Sequence, residues 1–149
     1  MNDVDYLKRA IKRARLSFEH GEFPAGCVVV DADEEVFESN DSFGWNHAEA
    51  QAIDKGLTKH GPTMSTCTLY TTMMPCIGCL SKAYWAGIHR IVYILAKDDV
   101  NSKLCYEGDY HSEVVVSTFH SNIELIQDKN LYDAAVSMYK VWEERVMQS

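Results

Sequence analysis

Cys67–Ala96, CTLYTTMMPCIGCLSKAYWAGIHRIVYILA, is the stretch that decides the fold. Two apolar runs, Cys67–Thr72 and His89–Ala96, flank a segment that starts at Pro75 and ends at Gly87. Proline suits the first position of a helix and glycine its end, so the middle segment is predicted to be a helix. The second run is apolar enough for a strand buried on both faces. Strand, helix and strand in this order predict a parallel strand pair in an α/β domain.

The segments on either side complete an α-β-β-α-β-α-β-β-α order. Helical spacing of apolar residues and β-branched runs predict further helices at Asp5–His20, His47–Lys59 and Asn130–Val146, and further strands at Phe23–Asp31, Val36–Ser39 and Asn122–Gln127, the first two forming a hairpin. Ser112–Phe119 resembles a strand by propensity, although no alternation of apolar and polar residues supports it. We therefore expect residues 1–149 to form a single domain with a three-layer α/β/α fold, in which a mixed sheet of about five strands carries helices on both faces.

Composition narrows the possible classes of function. The 149 residues are 46% hydrophobic and carry a formal net charge of −8. There is no run of about 18 apolar residues, so no transmembrane helix is predicted, and the N-terminal sequence lacks the apolar segment of a secretory signal. The chain has 5 cysteines, and this odd number does not indicate a disulfide framework. We expect a cytoplasmic protein that does not bind membranes.

The basic residues concentrate near the N-terminus, whereas the rest of the chain is acidic. Lysine and arginine outnumber aspartate within residues 1–16, although the whole chain has 14 basic against 22 acidic residues. An acidic surface repels phosphate backbones, and a solvated helix face explains the basic stretch more simply than a nucleic-acid contact. We therefore expect a small-molecule partner, with tRNA as the less favoured one.

Cys76 and Cys79 form a C-x-x-C pair at the start of a predicted helix. Residues three apart on a helix share one face, with Cβ atoms about 5–6 Å apart, so both thiols can bind one ion. The helix N-terminus stabilises thiolates. The pair alone is compatible with a metal site or with a thioredoxin-like redox site.

His47 and Glu49 form an H-x-E pair at the start of another predicted helix. His47, Cys76 and Cys79 together give three ligands, which leaves one position of a zinc ion open, as in catalytic zinc sites. Glu49 points away from the direction of His47, so we expect it to move protons rather than to bind the metal. Taken singly, these residues are compatible with a surface glutamate and a buried neutral histidine.

H-x-E followed by P-C-x-x-C resembles the zinc-dependent deaminase superfamily, which includes cytidine, deoxycytidylate, cytosine, guanine and tRNA adenosine deaminases. The resemblance covers most of the chain, because GEFPAGCVVVD, TLYTTMMPCIGC and AGIHRIVY are similar to strand segments of these enzymes. The C-terminal strand and helix are similar to the tRNA adenosine and cytosine/guanine deaminase branches. The resemblance implies a cytidine-deaminase-like fold, a zinc cofactor and a homodimer.

The family pattern assigns roles to residues of this chain. It implies His47, Cys76 and Cys79 as zinc ligands and Glu49 as the proton shuttle. It further implies that Asn40 binds the substrate, that Phe23 packs on the base and that the backbone N–H of Ala48 contacts the base. The short segment before His47 contains Phe43 and Trp45, and we expect Trp45 to close over a flat ring. Two features beside the expected pocket depart from the family pattern. The segment before His47 is short, and Met74 precedes Pro75.

Three hypotheses follow. The first is hydrolytic deamination of a nucleobase, nucleoside or nucleotide with release of ammonia, preferably as a free small molecule, with tRNA adenosine-to-inosine deamination as the alternative. The second is a catalytically silent zinc-binding partner subunit, although the presence of Glu49 disfavours it. The third is a thiol–disulfide oxidoreductase, which leaves the H-x-E pair unexplained.

Overall fold

The computed structural model describes residues 1–42 and 44–149. Within these residues there are five strands, β1 (Gly26–Val30), β2 (Val36–Asn40), β3 (Thr68–Met73), β4 (Arg90–Leu95) and β5 (Glu124–Gln127). The helices are α1 (Asp3–Glu19), α2 (Ala48–His60), α3 (Ile77–Ala86), α4 (Ser102–Cys105), α5 (Ser112–Ser117) and α6 (Tyr132–Gln148), with a short 3₁₀ turn at Lys97–Asp99. Among the described helices, none combines the length and the apolar character that a membrane crossing needs.

The strands form one mixed sheet in the order β2-β1-β3-β4-β5. Strand β1 is antiparallel to both β2 and β3, whereas β3, β4 and β5 run parallel. The parallel pair β3–β4 is joined by α3, as the strand–helix–strand sequence predicts.

The sheet has a hydrophobic core on each face. One core contains Ala52 and Ile53 of α2 and Leu80 and Ala83 of α3. The other contains residues of α1 and α6, among them Leu7, Ala10, Ala135 and Tyr139. The predicted three-layer α/β/α fold with a five-stranded mixed sheet is therefore confirmed.

The region after β4 differs from the strand propensity of its sequence. Ser112–Ser117 is the helix α5, in which Val116 is buried and Val114 is 59% exposed. Strand β5 pairs with β4, so the side of β4 to which Ser112–Ser117 could have been added as a strand is already occupied. The valines therefore pack one side of a short helix onto the core, and tertiary context overrides their β propensity.

Two helices begin later than predicted. His47 and Cys76 are the residues that precede α2 and α3, and each has an extended backbone conformation. Their side chains therefore lie at the helix ends rather than within the first turn. Gly87 ends α3 as predicted, with a φ of 89° that favours glycine.

Gly26 allows α1 to approach β1 closely. A Cβ atom at this position would meet the Ala10 carbonyl oxygen and would lie 2.5 Å from the Ala14 backbone nitrogen. These backbone atoms belong to a helix and cannot move independently of it, so any side chain at Gly26 displaces α1.

We expect Gly26→Ala to lower the free energy of unfolding by about 3 kcal/mol, because overpacking forces the helix away from the sheet. The control is Gly108→Ala, whose added Cβ would find Tyr110 at an ordinary 3.5 Å. The control should remain within about 0.5 kcal/mol of the parent. Urea unfolding measures both, and equal midpoints for the two variants would contradict the packing argument.

Candidate active site

The N-terminal ends of α2 and α3 meet at one point beside the sheet. Both helices pack on the same core, and His47 and Cys76 precede them directly. The first N–H groups of a helix have no partner within it and favour negative charge. The arrangement therefore suits thiolates and carboxylates.

His47, Cys76 and Cys79 form a group that could hold a metal ion. Nδ1 of His47 lies 3.4 Å from Sγ of Cys76 and 3.6 Å from Sγ of Cys79. One ligand atom from each residue lies within 4.8 Å of the others. Ligand atoms of a tetrahedral zinc with imidazole and thiolate ligands lie about 3.5–3.8 Å apart, as its bond lengths require. The three side chains fit zinc and could supply three of its four positions.

Of the two thiols in this group, that of Cys76 ionises more readily. A hydrogen bond from Cys79, together with one from His47, lowers the pKa of Cys76 to about 5. The same contact with Cys76 raises the pKa of His47 to about 9. The two pKa shifts show that His47 and Cys76 share protons when no ion is bound. A metal ion that binds to them replaces these protons.

A cavity of about 160 Å³ opens beside this group. Its wall contains two of the possible metal ligands, His47 and Cys76, together with several apolar and aromatic side chains. The described residues that line it are Phe23, Ala25, Asp41, Gly44, His47, Glu49, Met73, Met74, Cys76, Leu104, Cys105, Tyr106 and Trp142.

Glu49 lies in the first turn of α2 and is buried against the cavity. The Thr71 hydroxyl donates to Oε1 of Glu49 over 2.7 Å, which fixes the carboxyl group relative to β3. Oε2 lies 3.9 Å from Sγ of Cys79. Burial raises the pKa of Glu49 above its ordinary value. A carboxyl group of this kind can hold a proton and pass it on.

Two of the predicted substrate contacts are placed as follows. Phe23 lines the cavity, and its ring packs edge-on against Trp142 with 4.7 Å between centroids. Ala48 is buried, but its backbone N–H donates to Oδ1 of Asp41 over 2.6 Å. Asp41 therefore caps this N–H at the start of α2, and the contact of Ala48 with a base stays a prediction.

Asn40 and Trp45 do not line the cavity that the described residues form. Asn40 is the last residue of β2, and its carbonyl oxygen accepts a hydrogen bond from the Gln51 side chain. Trp45 is 77% exposed. Phe43, which we expected near the ring, lies outside the described residues. The contact of Asn40 and Trp45 with the substrate stays a prediction.

Asp41 takes the cavity position that was expected for Asn40. It follows β2 directly, and burial, followed by the nearby charge of Glu49, raises its pKa to about 7. The signal in the sequence is a carboxylate immediately after a strand and close before H-x-E. The sequence alone does not decide whether Asn40 or Asp41 enters the cavity, because this depends on where β2 ends.

Residues from the region without a clear sequence pattern also line the cavity. Leu104, Cys105 and Tyr106 come from α4 and its end. The Tyr106 hydroxyl donates to the Met74 carbonyl oxygen over 2.6 Å, so this segment is tied to the chain before α3. Lys97 holds the segment further by donating to the Gly108 carbonyl oxygen over 2.6 Å. No periodicity in the sequence predicts these contacts.

Comparisons with known proteins agree with the site. Residues 1–95 match the family model described as the cytidine and deoxycytidylate deaminase zinc-binding region. The probable cytosine deaminase of Schizosaccharomyces pombe is 33% identical over 103 residues, which cover 66% of this chain and 63% of that protein. The guanine deaminase of Bacillus subtilis is 32% identical over 108 residues, which cover 66% of this chain and 68% of that protein.

The tRNA-specific adenosine deaminase of Bacillus subtilis is 30% identical over 97 residues, covering 61% of this chain and 60% of that protein. The chain thus spans less than two thirds of the length of several curated relatives, including the cytosine deaminase. These relatives are deaminases with different substrates.

The fold is also that of solved deaminases. The guanine deaminase of Nitrosomonas europaea superposes with a TM-score of 0.78 at 19% identity and covers 93% of this chain and 83% of its own. A tRNA:A34 deaminase superposes with a TM-score of 0.72 at 20% identity and covers 91% and 99% of the two chains. The predicted cytidine-deaminase-like fold is confirmed, and zinc is the metal that the family model describes. The chain belongs to the cytidine and deoxycytidylate deaminase zinc-binding family.

Proposed function

We propose that the chain is a zinc-dependent hydrolytic deaminase that removes an exocyclic amino group from a nucleobase-type ring and releases ammonia. The observation that carries this proposal is the position of Glu49. Its carboxyl group is buried in the wall of the cavity that His47 and Cys76 also line, and Thr71 holds it from β3. A proton-transfer group beside a three-ligand metal group is the arrangement that hydrolysis at a ring carbon needs.

The proposed ligands are His47, through Nδ1, and the thiolates of Cys76 and Cys79. They are the described residues that converge as a possible metal group. Zinc bound there supplies a Lewis acid that lowers the pKa of a water molecule to about 7.

Glu49 moves the protons of the reaction. Oε1 is held by the Thr71 hydroxyl, so Oε2 is the oxygen that takes a proton from the attacking water. It passes this proton to the ring nitrogen next to the reacting carbon and passes the second proton to the leaving amine. Water and an amino-substituted ring thereby give an oxo-substituted ring and ammonia.

The ring is held between the metal ligands and the apolar part of the cavity. Phe23 and Trp142 form an edge-to-face pair in the cavity wall, and Tyr106 adds a third aromatic side chain. A flat heterocycle can pack against such a wall. This supports a nucleobase-type substrate without naming the ring.

A free small molecule is the proposed form of the substrate, and the tRNA reading is the alternative. The net charge of −8 disfavours binding to a phosphate backbone. The alternative draws on the resemblance to tRNA adenosine deaminases and on the basic face of α1. We further propose that residues 1–149 act as a single domain in the cytoplasm, which suits the free cysteines found here.

We also propose a homodimer. An apolar groove of about 650 Å³ lies between α3 and α5, and Ile77, Ser81 and Val114 are among its lining residues. Trp85, which is 75% exposed, continues the stripe of Ile77 and Ser81 along α3 at four-residue spacing. A contiguous exposed apolar surface of this kind is typical of an interface.

Val114→Glu should convert the dimer to a monomer, because the groove then carries a charge that a second copy would have to desolvate. Val141→Glu is the control, since Val141 is 42% exposed on α6, away from the groove. Light scattering after gel filtration measures the mass of each. A parent chain that is monomeric at every concentration would refute the dimer.

Purified protein should contain about one zinc ion per chain, held by the three proposed ligands, with a fourth position left for water or substrate. Cys79→Ala should lose most of this zinc, because two remaining ligands bind it weakly. Cys105→Ala, which removes another thiol of the cavity, should retain it. Elemental analysis measures the zinc content, and equal content in the two variants would exclude the assigned ligands.

The parent should release ammonia from at least one member of a panel of bases, nucleosides, nucleotides and tRNA. Glu49→Gln should reduce that rate by at least about 10²-fold, because a proton-transfer group is lost, while the zinc content stays unchanged. Glu144→Gln is the control, since Glu144 is an exposed carboxylate on α6. Undiminished turnover by Glu49→Gln would disprove the proton-transfer role.

The same panel separates the alternatives. Inosine formation in tRNA, together with sub-micromolar tRNA binding at about 150 mM salt, would replace the small-molecule proposal with the tRNA one. Zinc-loaded protein that releases ammonia from no member would favour the silent partner subunit.

A further inference from the structure

We infer that Asp41 selects the substrate by accepting a hydrogen bond from an N–H group of the ring. The ring deaminated by this chain then carries an N–H donor in addition to the amino group that leaves. This inference rests on the proposed function and assigns a chemical class to its substrate.

The backbone of Asp41 is fixed on both sides. Its N–H donates to the Ala25 carbonyl oxygen over 3.1 Å, and its carbonyl oxygen accepts from the Ser17 hydroxyl over 3.0 Å. Ser17 belongs to α1, and Ala25 precedes β1. Asp41 therefore enters the cavity from a position that two neighbouring elements determine.

One oxygen of the Asp41 side chain is already engaged. Oδ1 accepts the backbone N–H of Ala48 over 2.6 Å. Ala48 is the first residue of α2 and is buried, so its N–H has no partner within the helix and no access to water. Removal of this acceptor would leave a buried donor unsatisfied, and the bond therefore fixes the orientation of the carboxyl group.

The other oxygen is the one that a ligand can use. Among the described residues, none donates a hydrogen bond to Oδ2, whereas the residue itself lines the cavity with His47 and Glu49. A carboxylate accepts hydrogen bonds and donates none. Burial, followed by the nearby charge of Glu49, raises the pKa of Asp41 to about 7, so the carboxyl group is ionised in binding measurements made at about pH 8. The group that Oδ2 presents to a ring is thus an acceptor.

An acceptor in this position selects between rings. A free base with a ring N–H, such as cytosine or guanine, can donate to Oδ2. The same ring methylated at that nitrogen cannot donate and leaves the carboxylate without a partner. Sites built to bind a polar hydrogen reject analogues that lack it much more strongly than apolar pockets reject a methyl group.

Asp41→Asn tests this assignment with little change in shape. The Ala48 N–H still needs an acceptor, so the amide oxygen takes the place of Oδ1 and the NH₂ group takes the place of Oδ2. The variant therefore presents a donor where the parent presents an acceptor. Steric rejection of a methyl group should be the same in both proteins, and only the hydrogen-bond contribution should change.

The measurement is the dissociation constant of zinc-loaded protein for matched pairs of cytosine and guanine derivatives, with and without a methyl group on each ring N–H. For one pair at least, the parent should bind the N–H ring about 10- to 100-fold more tightly, as expected for a hydrogen bond to a charged group. In Asp41→Asn this ratio should fall by at least about tenfold. Glu144→Gln, which makes the same acid-to-amide change at an exposed position of α6, should keep the parent ratio.

The outcomes separate this inference from the proposed activity. A ratio that is equal in the parent and in Asp41→Asn overturns the inference, even if ammonia is released. A ratio that collapses in Asp41→Asn supports it, even if no ammonia is released and the proposed reaction fails. If none of these rings binds the parent, the inference is overturned, and the ammonia-release panel alone decides the proposed activity. Should Asp41→Asn not fold, Asp41→Ser also removes the second oxygen, and the same ratio decides.

Discussion

The convergence of two helix N-termini at one point beside the sheet is the constraint on which the rest of the site depends. Helices α2 and α3 pack on the same face, and the residues that precede them, His47 and Cys76, bring an imidazole and a thiol within 3.4 Å. The first turn of α2 carries Glu49, and the first N–H of α2 orients Asp41. A shift of one helix along the other would therefore disturb the possible metal ligands, Glu49 and Asp41 together.

The residues that line the cavity come from two parts of the chain. The proposed ligands and Glu49 lie within the region that matches the family model, residues 1–95. Leu104, Tyr106 and Trp142, which line the other side of the cavity, come after it. Relatives that share the first region carry names with cytosine, guanine and tRNA adenosine as substrates.

The parts of the site that the sequence predicted are those with local causes. H-x-E and C-x-x-C mark helix starts, so the proximity of His47, Cys76 and Cys79 followed from spacing and fold together. The residues proposed to contact the substrate ring are placed by non-local interactions. Whether Asn40 or Asp41 enters the cavity depends on where β2 leaves the sheet, which the Ala25 backbone decides. The valines of α5 have strand propensity, yet the sheet edge beside β4 is occupied by β5.

Trp142 lies on α6, the C-terminal helix, and this position affects the order in which the site is assembled during translation. The chain is synthesised from its N-terminus, and segments that have emerged can begin to fold before the rest is made. Residues His47, Cys76 and Cys79 are present well before Trp142 has left the ribosome. The nascent chain thus possesses all three proposed metal ligands while Trp142 is still missing from the aromatic wall, and this wall is complete only when α6 docks beside Phe23.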